Sequence, residues 1–261
     1  MRFKKIGVVA DKSKKAGEAL EELSSRYELI NLDKADVKKI KPDVILVLGG
    51  DGFMLRTLHK FTDTNIPVYG MNCGTVGFLM NEFRIDGLLN RLSEAKQTPI
   101  NPLDMVATDE NGKTHERVAF NEVSLHRKHK QAAKIRISLD DNVRMEEVVC
   151  DGVLVATPAG SSAYNSSVGG PIIPLKVWLL AMTPISPFRP RRWRGALLPD
   201  KVKIRFDIKF PKKRPVNAVA DFSEIENVVS VEIKKNLKSS ITLLFDPGHS
   251  LEERILKEQF A

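Results

Sequence analysis

The 261-residue chain has only two cysteines, Cys73 and Cys150, and they lie far apart. Two isolated thiols make neither a disulfide framework nor a four-ligand zinc site. No run reaches the roughly 18 uncharged apolar residues of a membrane span. The opening residues, MRFKKIGVV, read as a first strand instead of a signal peptide. These absences point to the cytoplasm and away from a membrane. Aromatic residues are 7% of the chain, with no cluster beside basic strands, so the stacking platform of an RNA-binding module is missing. The net charge of +8 then reads as a basic surface or as a preference for anionic small ligands, with no nucleic acid expected. The main glycine turn is neither G-x-G-x-x-G nor G-x-x-x-x-G-K-[ST], which excludes a standard Rossmann fingerprint and a Walker A loop there.

What is present is concentrated. Asp43-Val-Ile-Leu-Val-Leu48 reads as a buried strand, too short for a helix. It empties into Gly49-Gly50-Asp51-Gly52, and Phe53, Met54, Leu55, Leu58 and Phe61 begin a helical pattern at once. Glycines admit close backbone approach, and a helix N-terminus offers N–H groups and partial positive charge. Such a turn suits phosphate. A purely structural loop gains nothing visible from a carboxylate there. Asp51 is therefore expected to hold Mg²⁺ against phosphates or to accept a proton from an attacking hydroxyl. Arg56, about one helical turn on, is a candidate phosphate partner. An ordinary Gly-Asp-Gly turn is the plainer alternative.

The chain has two rhythms. Residues 1–100 alternate strand and helix: Ile6–Val9, helix Lys14–Ser25, Tyr27–Asn31, the strand before Gly49, Pro67–Met71, and helix Ile85–Ala95. That alternation predicts an α/β domain with a parallel sheet. From about residue 101 to 245 turn signals recur at short intervals, as in Asp109–Gly112 and Asp140–Asn142. Runs such as Ala133–Leu139, Val143–Val149, Val216–Ala220 and Val228–Ile233 separate them, predicting an antiparallel all-β domain. Lys201, Lys203 and Arg205 alternate as on the wet face of a strand. Ser250 with Glu253 three residues on is a capping-box start, so residues 246–261 are expected as a C-terminal helix returning to the first domain.

Two further clusters carry chemistry. Asn121-Glu122 follows Val118-Ala-Phe120 and sets donors and acceptors side by side, able to read sugar hydroxyls or an adenine edge. A solvent-exposed strand end is the plainer reading. Asp151-Gly-Val-Leu-Val-Ala-Thr157-Pro-Ala-Gly160 leads into Ser-Ser-Ala-Tyr164-Asn-Ser-Ser167-Val-Gly-Gly170. A buried strand runs into a small-residue, hydroxyl-rich helix start suited to phosphate or ribose. Tyr164 adds a flat ring for a base.

Together these blocks resemble the NAD kinases. G-G-D-G stands at Gly49–Gly52, G-M-N-C-G-T-V-G-F-L at Gly70–Leu79, N-E at Asn121-Glu122, the D-G…T-P-x-G-S-S-A-Y block at Asp151–Pro171 and P-I-S-P at Pro184–Pro187. They keep the family's order across nearly the whole chain. The resemblance implies phosphorylation of the adenosine ribose 2′-hydroxyl of NAD. It implies ATP as donor, inorganic polyphosphate in some members, and a divalent metal cation, Mg²⁺ above all. It also implies a homo-oligomer, dimer or tetramer. Carried over by motif, Asp51 looks like the proton acceptor and a metal-linked group, Gly52 lies beside the dinucleotide, and Phe78 looks like a wall of the adenosine pocket. Asn121, Glu122, Asp151, Ala159, Ser162, Ala163, Tyr164 and Ser167 look like the rest of the dinucleotide site.

The chain departs from the family pattern in places. Phe53 stands where the family often has threonine, and Val149 where it often has arginine. The run Phe188-Arg-Pro-Arg-Arg-Trp-Arg194 is unusually basic for a loop and either clamps donor phosphates or lies on the surface. Ala220-Asp221-Phe222 replaces the common Asp-Gly or Asp-His, which weakens an assignment to Asp221. A lipid or sugar kinase sharing G-G-D-G is the main competitor, and Asn72–Leu79 with the Tyr164 segment argues against it.

Overall fold

The structure is a computed structural model that describes residues 3–33, 35–74 and 77–248. Its chain divides into two compact units, the first ending at Ile100 and resuming at Ser239, the second running from Asn101 to Lys238.

The first unit is built on one sheet in the order Leu29–Asn31, Ile6–Ala10, Val44–Gly49, Val68–Asn72, Ile241–Phe245, Lys96–Ile100, with Asn81–Glu82 also paired to Val68–Asn72. Neighbours are parallel except Lys96–Ile100, which runs antiparallel to Ile241–Phe245. All six residues of Val44–Gly49 are buried, as a central strand covered on both faces requires. Helix Lys14–Ser24 starts on Ser13, whose side chain accepts from the Ala16 N–H. Its Ala16, Ala19 and Leu23 pack with Val8, Leu46 and Leu48. Helix Asp51–Phe61 buries Met54, Thr57, Leu58 and Phe61. The helical pattern over Ile85–Ala95 is shorter than expected: the helix is Leu88–Glu94, entered through Gly87 at a left-handed φ of 69°.

The second unit holds two six-stranded antiparallel sheets. One runs Asn142–Cys150, Ala133–Leu139, Ile204–Ile208, Val228–Lys235, Leu103–Asp109, Thr114–Ala119; the other runs Ala196–Pro199, Leu179–Ile185, Gly152–Ala156, Glu122–Arg127, Val216–Ala220, Ser223–Ile225. Met105, Ile135, Phe206 and Val231 of the first share a core with Val123, Leu125, Val153 and Val155 of the second, as in a packed sandwich. The basic alternation holds in part. On the strand Arg205 meets Asp207 and Glu232 while Ile204, Phe206 and Ile208 face inward, but Lys201 and Lys203 precede the strand, Lys203 pairing with Asp141. Gly152 is fixed by packing, because a Cβ there would stand 1.9 Å from the Leu125 carbonyl oxygen.

The return to the first unit comes ahead of residue 246. Ile241–Phe245 is a strand of the first sheet, not the last strand of the β domain. An isolated apolar pentapeptide fits either sheet by pattern, and only its partners decide. The helix expected over 246–261 lies, from residue 249 on, outside the described residues.

A polar cluster holds the returning segment. Tyr69 donates to Asp246 Oδ1 at 2.6 Å, Arg91 donates to Asp246 Oδ2 at 2.6 Å, and Asn81 accepts from the Asp246 N–H at 2.9 Å. Burial, and then the Asp246 bond, push the Tyr69 hydroxyl far above its ordinary range. Removing one member of a buried ion pair costs about 3–5 kcal/mol. Asp246→Ala is expected to lower the unfolding free energy by about 3 kcal/mol in urea titrations. A loss below about 1 kcal/mol, the scale of an exposed pair, would show that the return does not depend on this cluster.

Candidate functional site

The glycine turn of the first unit lies at the C-terminal end of strand Val44–Gly49 and opens helix Asp51–Phe61. Its glycines have different causes. At Gly49 a Cβ would stand 2.9 Å from the Phe53 ring, so packing demands glycine. At Gly50 and Gly52 an added Cβ meets nothing within 4 Å. Neither is a positive-φ residue, so neither bulk nor backbone conformation accounts for these two glycines. Gly50 is the N-cap and supplies no side-chain cap.

Asp51 differs from expectation. Its carboxylate accepts the Phe78 N–H at 2.7 Å on one oxygen and the Leu79 N–H at 3.0 Å on the other. The charge therefore has a structural use that the pattern did not reveal: it gathers the second glycine block onto the first. Gly77 makes room, since a Cβ there would stand 3.0 Å from Asp51 Oδ1. Phe53 does more than fill space, because the exposed Arg56 guanidinium lies 5.8 Å from its ring centroid. Asp51, Gly52, Arg56 and Phe78 are thus gathered in one neighbourhood.

In the second unit, the segment after strand Gly152–Ala156 is a 3₁₀ turn, Gly160–Ser162, and a single helical turn, Tyr164–Ser167. The expected helix start is therefore too short to act as a dipole site. Several of its polar groups are engaged by the fold. Thr157 donates to the Phe120 carbonyl at 2.6 Å and accepts from the Gly160 N–H at 3.0 Å. Ser161 bonds Pro158 and the Ile173 backbone, and Asn165 bonds Ser161, Pro171 and Thr183. Ser162, Ala163 and Tyr164 are half-buried, Ala159 is buried and Ser167 is exposed. Gly160 brings this turn against the N-E pair, as a Cβ there would meet the Asn121 carbonyl oxygen at 2.2 Å.

Glu122 begins strand Glu122–Arg127 and Asn121 immediately precedes it, and both are half-buried instead of forming an exposed strand end. Asn121 Oδ1 and Glu122 Oε2 are both buried without a hydrogen-bond partner. Two such acceptors side by side are costly unless a ligand supplies donors. Burial first, and the Asp221 charge second, push the Glu122 carboxyl up to about 7. Burial and then the Glu122 charge raise the Tyr164 hydroxyl. The Tyr164 ring stands 5.7 Å from that of His126, and burial lowers the imidazole's affinity for protons.

Asp151 is held by Arg127 at 2.5 Å. Val149, where the resembled family often has arginine, pairs through its backbone with Phe188 and Arg189. The basic loop is thereby tied to the sheet, with Arg189 and Arg191 stacked on Phe188. Sequence reasoning missed Arg127, His126 and Thr157. His126 had a signal, since strand alternation puts it on the face of Glu122. Arg127 and Thr157 had none, because their partners are distant in sequence. Among the described residues no three His, Cys, Asp or Glu side chains converge as a metal site.

Comparison with known proteins gives a consistent result. Residues 5–98 match the family model of the ATP-NAD kinase N-terminal domain, and residues 120–240 match that of the ATP-NAD kinase C-terminal domain. A protein named NAD kinase from Cereibacter sphaeroides is 54% identical over 260 residues, covering 100% of both chains. One of that name from Mesorhizobium japonicum is 53% identical over 255 residues, covering 98% of this chain and 96% of the relative. Among solved structures, yeast NADH kinase complexed with NADH superposes with a TM-score of 0.80 at 22% identity, covering 99% of this chain and 87% of that one. An NAD kinase from Archaeoglobus fulgidus in complex with ATP gives 0.77 at 21%, covering 97% and 98%.

The Thr157 hydroxyl links the N-E pair to the serine turn, and its removal strands two buried backbone groups. Thr157→Val is expected to cost about 1–3 kcal/mol in urea unfolding, while Thr157→Ser keeps most of the stability. Equal losses for both would assign the effect to packing of the methyl group.

Proposed function

The chain belongs to the NAD kinase family, and we propose that it transfers the terminal phosphoryl group of ATP to the 2′-hydroxyl of the adenosine ribose of NAD. The products are NADP and ADP, and the hydroxyl proton leaves to a base. The observation that carries the reading is the seat of Asp51. A carboxylate pinned by two backbone N–H groups stands at a helix start beside two glycines that face open space. Asp51 takes the hydroxyl proton. Positioning of this kind is most of what phosphoryl transfer asks of a protein.

The other residues divide by unit. Gly52 and the helix start accommodate phosphate, Arg56 adds a positive charge that Phe53 steers, and Phe78 walls the adenosine. Asn121, Glu122, Asp151, Ala159, Ser162, Ala163, Tyr164 and Ser167 contact the dinucleotide. The orphaned acceptors on Asn121 and Glu122 support this, since ribose hydroxyls and the adenine amino group are donors. A divalent cation fits this chain as a companion of the donor: the described acids form no three-ligand cluster, and Mg²⁺ is commonly held by substrate phosphates, water and one or two carboxylates. When bound it neutralises phosphate charge, with Asp51 the acid nearest the turn.

Inorganic polyphosphate is an alternative donor with the same anhydride chemistry. We read the chain as a homo-oligomer, dimer or tetramer. Exposed Trp178 and Leu197 lie at and beside Ala196–Pro199, the last strand of its sheet, and such edges invite pairing. No described helix is long and apolar enough to cross a membrane, and the cytoplasm is the proposed location.

Purified protein with NAD, ATP and Mg²⁺ is expected to form NADP. Asp51→Asn should reduce the rate by about 10²–10⁴-fold, with some loss of stability from the weakened Phe78–Leu79 anchor. Near wild-type NADP formation by the variant removes Asp51 from the chemistry. Tyr164 packs against Leu154, Ala156 and Ile173 yet remains half-exposed beside Glu122. Tyr164→Ala is expected to raise the NAD Michaelis constant about tenfold, on the scale of 1–3 kcal/mol per stacked base, with a much smaller change for Tyr164→Phe. Unaltered NAD affinity in a folded Tyr164→Ala protein would leave the ring a packing role only.

A further inference from the structure

Asp221 is a residue that the motif pattern assigned weakly and the fold uses heavily. It sits between strands Val216–Ala220 and Ser223–Ile225 with a left-handed φ of 53°, unusual for a residue other than glycine. Its carboxylate accepts the N–H groups of Phe120 at 2.7 Å, Asn121 at 3.0 Å and Glu122 at 3.2 Å. Its own N–H donates to the Glu122 carbonyl at 3.1 Å. Three consecutive backbone donors converging on one carboxylate fix how Asn121 and Glu122 leave the strand. The result is the pair of buried acceptors without partners, Asn121 Oδ1 and Glu122 Oε2.

The same carboxylate is a negative charge placed against Glu122. Other groups face Glu122 from the neighbouring elements: the Tyr164 hydroxyl from the helical turn, and His126 along the same strand face. Both are neutral in this setting near pH 7, since burial raises the hydroxyl and lowers the imidazole. Arg127, on the opposite face, is engaged with Asp151. Burial is the larger push on Glu122, and Asp221 is the charge that adds to it.

We propose that Asp221 is a positioning residue that builds the Asn121–Glu122 acceptor pair and adds its charge to the burial that disfavours ionised Glu122 in the free protein, so that binding of NAD releases a proton near neutral pH. The proposal rests on the reading of Asn121 and Glu122 as NAD contacts. Hydroxyl or amino donors of the dinucleotide favour the ionised carboxylate. The proton leaves Glu122 for solvent, and the ligand's donors take its place. The sign follows from linkage. A free carboxyl near 7 that is lower in the complex makes affinity rise as pH climbs towards 7, then level off above it. For such a group the rise between pH 6 and 8 is about tenfold. NAD has no group of its own that titrates in that interval.

Two measurements test this. Carboxyl-carbon NMR follows the Glu122 titration in the protein without NAD. Titration calorimetry with NAD alone, in buffers of different ionisation enthalpy, counts protons released. Asp221→Asn is the informative variant, because asparagine tolerates left-handed backbone and keeps one side-chain acceptor while losing the charge. Asp221→Gly serves the same purpose should the first fail to fold. The expected result is a Glu122 midpoint moved to lower pH in either variant and about half a proton released at pH 7 in wild type. The pH-dependent rise in affinity becomes severalfold smaller in Asp221→Asn and is lost in Glu122→Gln. An unmoved Glu122 midpoint overturns the proposal, as does NAD binding without proton release between pH 6 and 7. Failure of wild-type protein to bind NAD at all overturns the kinase reading and the proton coupling with it, while the midpoint shift still decides the hold of Asp221 on Glu122.

Discussion

Two backbone N–H groups, those of Phe78 and Leu79, determine where the central acid of this chain points. Their bonds to Asp51, at 2.7 and 3.0 Å, join two glycine blocks that are more than twenty residues apart in sequence. A charged acceptor makes such bonds stronger than neutral ones. Gly77 keeps a Cβ from crowding the carboxylate, where it would stand 3.0 Å from Oδ1. An acid held in this way need not spend conformational entropy at the moment it meets a hydroxyl. The anchor and the proposed base are one group, which is why removing its charge is expected to touch both stability and turnover.

The second unit repeats the device with different residues. Asp221 gathers three consecutive N–H groups at the start of strand Glu122–Arg127, and Gly160 allows the serine turn to press on the Asn121 backbone. In both units, buried backbone donors that no ladder can satisfy are collected by a carboxylate. Asn121 and Glu122 keep acceptors that the fold does not satisfy, and in their proposed binding role the donors of a ligand recover that cost.

Much of this was legible in the sequence because it is local. The strand Val44–Gly49 with its helix is continuous in the chain, and alternation separated an α/β region from an antiparallel one. The five motif blocks named the family. What escaped was non-local. Ile241–Phe245 carries the same apolar signal in either sheet, so its return to the first unit was invisible before its pairing was known. The hydroxyls of Thr157 and Ser161 look like ligand groups by composition, yet they close a turn. Asp51 seemed to lack a structural reason because its partners lie at Phe78 and Leu79. Asp221 seemed weak because the residue after it broke the pattern, while its importance lies in backbone groups a hundred positions earlier.

In the proposed mechanism the carboxylate anchored on Phe78 and Leu79 also receives the proton of the adenosine 2′-hydroxyl. A structure of the protein with NAD bound decides this. The 2′-hydroxyl oxygen is expected at about 2.6–3.2 Å from an Asp51 carboxylate oxygen, with both backbone N–H bonds retained. A 2′-hydroxyl directed to another acid or to solvent, or an Asp51 released from both N–H groups, contradicts it.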